Sequence, residues 1–85
     1  MPVTISRATG KDGIAGIWVY PNPAMTTLYT VGIKNPVNIE VYNSLGQLQL
    51  LSFGTSIAVE GLKAGAYYVR LRSKGKYQVF KFIKQ

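Results

Sequence analysis

Val37-Asn38-Ile39-Glu40-Val41-Tyr42 alternates aliphatic residues with polar or aromatic ones and runs into Asn43-Ser44-Leu45-Gly46. Successive side chains of a strand point to opposite faces, so Val37, Ile39 and Val41 share one face and Asn38, Glu40 and Tyr42 the other. Gly46 is free to take positive φ, so residues 43–46 predict a tight turn and residues 47–53 its returning strand. A chain built around this hairpin is all-β.

The same punctuation continues on both sides. Upstream, residues 26–33 form a β-branched and aromatic run closed by Lys34-Asn35-Pro36, and a strand around residues 17–20 stops at Tyr20-Pro21-Asn22-Pro23. Two prolines fix φ there and push the residues before them towards extended backbone, so the chain leaves its sheet. Downstream, Gly54-Thr55-Ser56 separates a short strand, residues 57–59, which leads through Gly61-Leu62-Lys63-Ala64-Gly65 to residues 66–73, and Gly75 closes a hairpin to residues 76–84. Seven short strands with turns about every 8–12 residues, and no sustained helical period, predict an antiparallel sandwich or barrel. Residues 1–14, with Gly10, Lys11, Asp12 and Gly13, read as a linker or loosely attached segment ahead of a domain spanning residues 15–85.

A length of 85 residues suits one domain, and 47% hydrophobic against 15% charged residues is a folding composition. No apolar run reaches the roughly 18 residues of a membrane-spanning helix, and the N-terminus lacks a basic segment followed by an apolar one. With no cysteine, disulfides, thiolate nucleophiles and cysteine metal sites are excluded. Histidine is also absent, and Asp12, Glu40 and Glu60 are widely spaced. General acid–base chemistry and nucleophile activation need such groups paired, so no catalytic, cofactor-binding or metal-ligating residue is assigned, and the three acids are expected on the surface. Gly10, Gly13 and Gly16 lack the flanking strand and helix of a phosphate-binding loop and read as linker.

The formal charge is +7, and seven of the ten cations lie between Lys63 and Lys84, which favours acidic partners and marks that end as the contact surface. Tyr67, Tyr68, Tyr77, Phe80 and Phe82 among these cations would suit a single-strand nucleic-acid binder. Aromatics at alternating strand positions are more often core, with the opposing cations solvated, so no nucleic acid is expected. Trp18 reads as core rather than a sugar platform for the same reason. Tyr67, Val69 and Leu71 fall on one face, with Arg70 and Arg72 on the other. In the last strand Phe80 and Phe82 share a face with Lys84, while Tyr77, Val79 and Ile83 share the opposite face with Lys81. One side is expected to be buried and the other to meet a partner, and an edge position would let its backbone pair with a receptor strand.

Four blocks stand in a fixed order: Val19-Tyr20-Pro21-Asn22-Pro23-Ala24, then residues 37–47, then Gly61-Leu62-Lys63-Ala64-Gly65-Ala66-Tyr67-Tyr68-Val69-Arg70, then Lys81-Phe82-Ile83-Lys84-Gln85. In that order and spacing they resemble the C-terminal sorting domain of the bacterial type IX secretion (Por secretion) system. The resemblance implies a seven-stranded antiparallel immunoglobulin-like β-sandwich, carried at the C-terminus of cargo that reaches the periplasm by a separate N-terminal signal. It implies recognition by the type IX translocon and its shuttle proteins, delivery to the outer-membrane cell surface or outside the cell, removal by a sortase-like surface protease, and joining of the cargo to anionic lipopolysaccharide. Cleavage would then fall upstream of the sandwich, within residues 1–16. Translocon recognition is expected at Gly61, Leu62, Gly65, Tyr67, Val69, Lys81, Phe82, Ile83, Lys84 and Gln85, with Lys81 to Gln85 and the terminal carboxylate as anchor. Tyr20, Pro21, Asn22, Pro23 and Gly46 are expected to be structural, and Gly61 and Gly65 have turn geometry as a competing role. No cofactor is expected. The alternative is an uncleaved immunoglobulin-like adhesion or interaction module of a secretion-machinery or cell-surface protein.

Overall fold

The computed structural model describes residues 17–85; the linker reading, Asp12 and the cleavage region lie outside them. Seven strands follow in order: β1 (Trp18–Tyr20), β2 (Thr27–Val31), β3 (Val37–Asn43), β4 (Leu48–Gly54), β5 (Ser56–Ala58), β6 (Gly65–Ser73) and β7 (Lys76–Lys84). Each expected strand is present, with its ends within two residues of the sequence reading.

The strands form two antiparallel sheets, β1-β2-β5 and β4-β3-β6-β7. This is a seven-stranded immunoglobulin-like sandwich in which the fourth strand lies beside β3, rather than beside β5 as in the constant-domain arrangement. The alternation of β3 works as expected: Val37, Ile39 and Val41 are buried. They cluster with Tyr67, Val69 and Leu71 of β6, Phe80 and Phe82 of β7, and Val19, Leu28, Ile57 and Val59 from the other half of the sandwich.

Two turns fix the hairpins. Gly46 takes φ +82°, its N–H donates to the Asn43 carbonyl (3.0 Å), and the Asn43 side-chain oxygen accepts from the N–H groups of Leu45 and Gln47 at 2.9 Å each. A bulge between Val41 and Tyr42 then shifts the pairing so that Tyr42 opposes Leu48. Between β6 and β7, Lys74 and Gly75 both have positive φ, as a two-residue type I′ turn requires.

Two expectations are corrected. Glu40 is buried, at 7% exposure, because the central strand β3 places its outer face under β6 and β4 side chains; Glu60 is exposed. Gly61 has open space around a notional Cβ and no left-handed φ, so the turn does not require glycine there, whereas Gly65 at φ +152° does sit where side chains are rarely found.

Candidate functional site

β6 and β7 form the longest hairpin, paired without a break from Gly65 opposite Lys84 to Ser73 opposite Lys76. Its inner face is anchored in the core: the Tyr67 and Phe82 rings stack at 5.7 Å, and Phe80 and Phe82 are wholly buried. The Tyr67 hydroxyl donates to the Lys63 carbonyl at 2.7 Å. That bond is the tyrosine corner of immunoglobulin-like folds, in which a tyrosine at the start of the sixth strand ties back to the chain just before it. Residues 61–67 are therefore a corner as well as a sequence block.

The outer edge of β7 is held from the other side by the residues that follow β1. The Ile83 N–H donates to Asn22 Oδ1 (2.8 Å), and Asn22 Nδ2 donates to the Lys81 carbonyl (3.4 Å). Ala24 continues the ladder, its N–H donating to the Ile83 carbonyl (2.7 Å) and its carbonyl accepting from the Gln85 N–H (2.9 Å). One side-chain amide and one short parallel bridge thus supply the hydrogen bonds that a neighbouring strand would otherwise supply. The Tyr20–Pro21 and Asn22–Pro23 peptides are both cis, and Tyr20 stacks on Tyr29 at 5.4 Å. The expectation that a receptor strand could pair with the end of β7 is corrected: at residues 81–85 that edge is already occupied.

The expected recognition residues divide by depth. Val69 and Phe82 are fully buried, Tyr67 and Lys84 nearly so, and the Lys84 ammonium donates to the main-chain oxygen of Gln85 at 2.8 Å. Leu62 is half-buried against the core. Gly61, Gly65, Lys81, Ile83 and Gln85 are exposed, and Gly46 lies apart in the β3–β4 turn. Of the aromatics read as core, Tyr68 and Tyr77 instead stand on the outer face, each 40% exposed.

That outer face has a charged centre which sequence reasoning missed. Register places Glu40 opposite Arg70 on β6, and Asn38 opposite Arg72. Arg70 Nε donates to Glu40 Oε1 at 2.6 Å, the Tyr42 hydroxyl donates to the same oxygen at 3.0 Å, and Arg72 lies 3.5 Å from Oε2. The Arg70 guanidinium also bonds the Tyr42 oxygen (3.1 Å) and lies over the Tyr42 and Tyr77 rings, at 5.5 and 5.9 Å. Desolvation pushes the Glu40 carboxyl up, but the bonds from Arg70 and Tyr42 and the two arginine charges outweigh it, so its pKa is held below the ordinary value. Desolvation and the bond to Glu40 push the Tyr42 hydroxyl up, and the bond to Glu40 pushes Arg70 up. Parity within each strand grouped Glu40 with Tyr42 and Arg70 with Arg72, but did not reveal the pairing of β3 with β6 that joins the two groups.

Among the described residues, no cluster of three or more metal-ligating side chains occurs, and no helix is long and apolar enough to cross a membrane. Two antiparallel sheets of this strand order, with a tyrosine corner at Tyr67, have the immunoglobulin-like arrangement. The family model described as the secretion system C-terminal sorting domain matches residues 18–85, and the chain belongs to that family. It is a C-terminal sorting signal of type IX secretion and functions with the type IX machinery; the family is not catalytic, and proteins with such tails are exported across the outer membrane to the cell surface or secreted. The match supports sorting over the alternative of a retained adhesion module. No curated protein and no solved structure matches the chain.

Proposed function

We propose that the translocon reads this domain folded, through the side chains that the end of β7 presents: Lys81, Ile83 and Gln85. The observation that carries this reading is the alternation over residues 81–85, in which these three are exposed while Phe82 and Lys84 are buried. A strand gripped on its inner face by the core and along its edge by Asn22 and Ala24 offers a preorganised row of side chains, which lowers the ordering cost of docking. On this reading Tyr67, Val69, Phe82 and Lys84 act by holding the row in place, and Gly61, Leu62 and Gly65 form the adjoining corner. The domain crosses the periplasm with its cargo, is engaged by shuttle proteins, and is removed by a sortase-like surface protease that cuts upstream. The formal charge of +7 favours encounter with anionic lipopolysaccharide, to which the cargo is joined. The domain itself makes and breaks no bond.

The test is a reporter with a periplasmic signal and this domain at its C-terminus, produced in a type IX-competent host. Truncating residues 81–85 would remove Phe82 from the core, so the informative variant is Lys81→Glu with Ile83→Ser, which alters exposed side chains alone. The wild-type fusion is expected at the surface, and the variant in the periplasm with an unchanged melting temperature. Equal delivery of both would overturn the β7 anchor.

A further inference from the structure

The two edges of the four-stranded sheet are treated differently. The end of β7 is covered by Asn22 and Ala24, whereas no strand among the described residues lies beyond β4. Folded proteins guard a long edge strand with charge, proline, a bulge or a covering loop. β4 reads Leu48-Gln49-Leu50-Leu51-Ser52-Phe53-Gly54, with no charge and no proline, and no charged residue occurs between Glu40 and Glu60. Its one bulge lies at the turn end, between Val41 and Tyr42, leaving the pairing from Val41 opposite Leu50 to Val37 opposite Gly54 regular.

The side chains of this edge are as unguarded as its backbone. Phe53 opposes Asn38, Leu51 opposes Glu40 and Leu48 opposes Tyr42, so all three project from the outer face, 68%, 65% and 52% exposed respectively. Further across the same face stand Arg70, Arg72 and Lys81. Glu40 is the one acid there among the described residues and is already paired with both arginines, so the face is cationic in balance. An apolar stripe on an open edge beside a cationic field is a docking surface for an extended segment with apolar side chains and neighbouring carboxylates.

We infer that β4 is a second docking edge, where a strand from an acidic protein of the secretion machinery adds to the sheet. The added strand sets apolar side chains beside Leu48, Leu51 and Phe53, and the acidic surface of its parent answers at longer range the cationic balance of the outer face, whose arginines stand on β6, two strands in from the edge. A second copy of this chain suits the edge less well, since each copy carries a formal charge of +7 and like charges oppose association. The inference rests on the sorting reading above.

The test uses Leu51→Lys with Phe53→Lys, which guards the edge as natural edges are guarded, and Leu51→Thr with Phe53→Thr, which removes the apolar cover while keeping strand-forming residues. Surface delivery of the reporter is expected to fall about tenfold or more for the lysine pair and less for the threonine pair, with melting temperatures unchanged. Amide exchange of the wild-type domain with detergent-solubilised translocon is expected to slow across residues 48–54. Wild-type delivery matched by both variants, or no protection of β4, overturns the inference and leaves the β7 anchor standing. Failure of wild-type delivery overturns the sorting reading itself. Concentration-dependent dimers in sedimentation, abolished by the lysine pair, would assign the edge to a second copy and overturn the machinery strand.

Discussion

β7 and β4 border the same sheet, yet among the described residues one is braced and the other bare. β7 sends Phe80 and Phe82 wholly into the core and has its last residues hydrogen-bonded by Asn22 and Ala24. β4 turns Leu48, Leu51 and Phe53 to solvent, and only Leu50 of its large residues packs against the core. The braced strand holds its side chains in one geometry; the bare one keeps its backbone available. A module that must be recognised has use for both, a rigid row of side chains and an edge that can accept a strand.

The contrast breaks most sharply at Phe82. Phe82→Ala leaves a cavity beneath β7 and is expected to cost about 3–5 kcal/mol, a large fraction of the stability of so small a domain. Chemical denaturation should show it, and retention of most of the stability would mean that the edge clamp alone anchors β7. Asn22→Ala removes the clamp and spares the core, with an expected loss of about 1–2 kcal/mol. Hydrogen exchange at the Ile83 amide should then approach that of an uncovered edge, while exchange across β4 stays as it was. The smallest effect belongs to Glu40, midway between the edges. Glu40→Gln is expected to cost about 1 kcal/mol, a modest loss because Arg70 retains solvent contact.

Glu40 also sets a pH dependence. Its folded pKa lies below the ordinary carboxyl value, so the ionised form is favoured by folding. The stability it contributes is fully present above the unfolded pKa and is lost as pH falls through the lowered folded value. Thermal melts through the acid range should show this decline in the wild-type domain and a shallower one in Glu40→Gln. Identical slopes would show that the pair with Arg70 contributes nothing net.

Much of this protein was legible without coordinates. Period-two alternation located the strands over residues 37–42, 66–73 and 76–84 and much of the core they carry, because side-chain direction in a strand is a local consequence of the pleat, while turn residues and prolines bounded the other four strands. The same alternation grouped Tyr77, Val79, Lys81 and Ile83 on one face of the last strand without saying which face meets the core, and the four ordered blocks carried the family. Misplacements came where the neighbour, not the strand, decided. Glu40 looked like a surface acid until β6 lay beside it, and Gly61 looked like a required turn glycine until its backbone proved ordinary.

What the sequence by itself determined is therefore which segments are strands, which side chains of a strand share a face, and which family they compose. Only the tertiary structure decided the order of the strands. It placed β4 beside β3, and it brought Asn22 within hydrogen-bonding distance of residues some sixty positions away. Local alternation carries no information about which edge meets which partner, because that choice depends on loop closure and on the joint packing of both sheets. Among the described residues, one edge of the sheet is closed by contacts that no single stretch of the chain contains, and the other has no neighbouring strand.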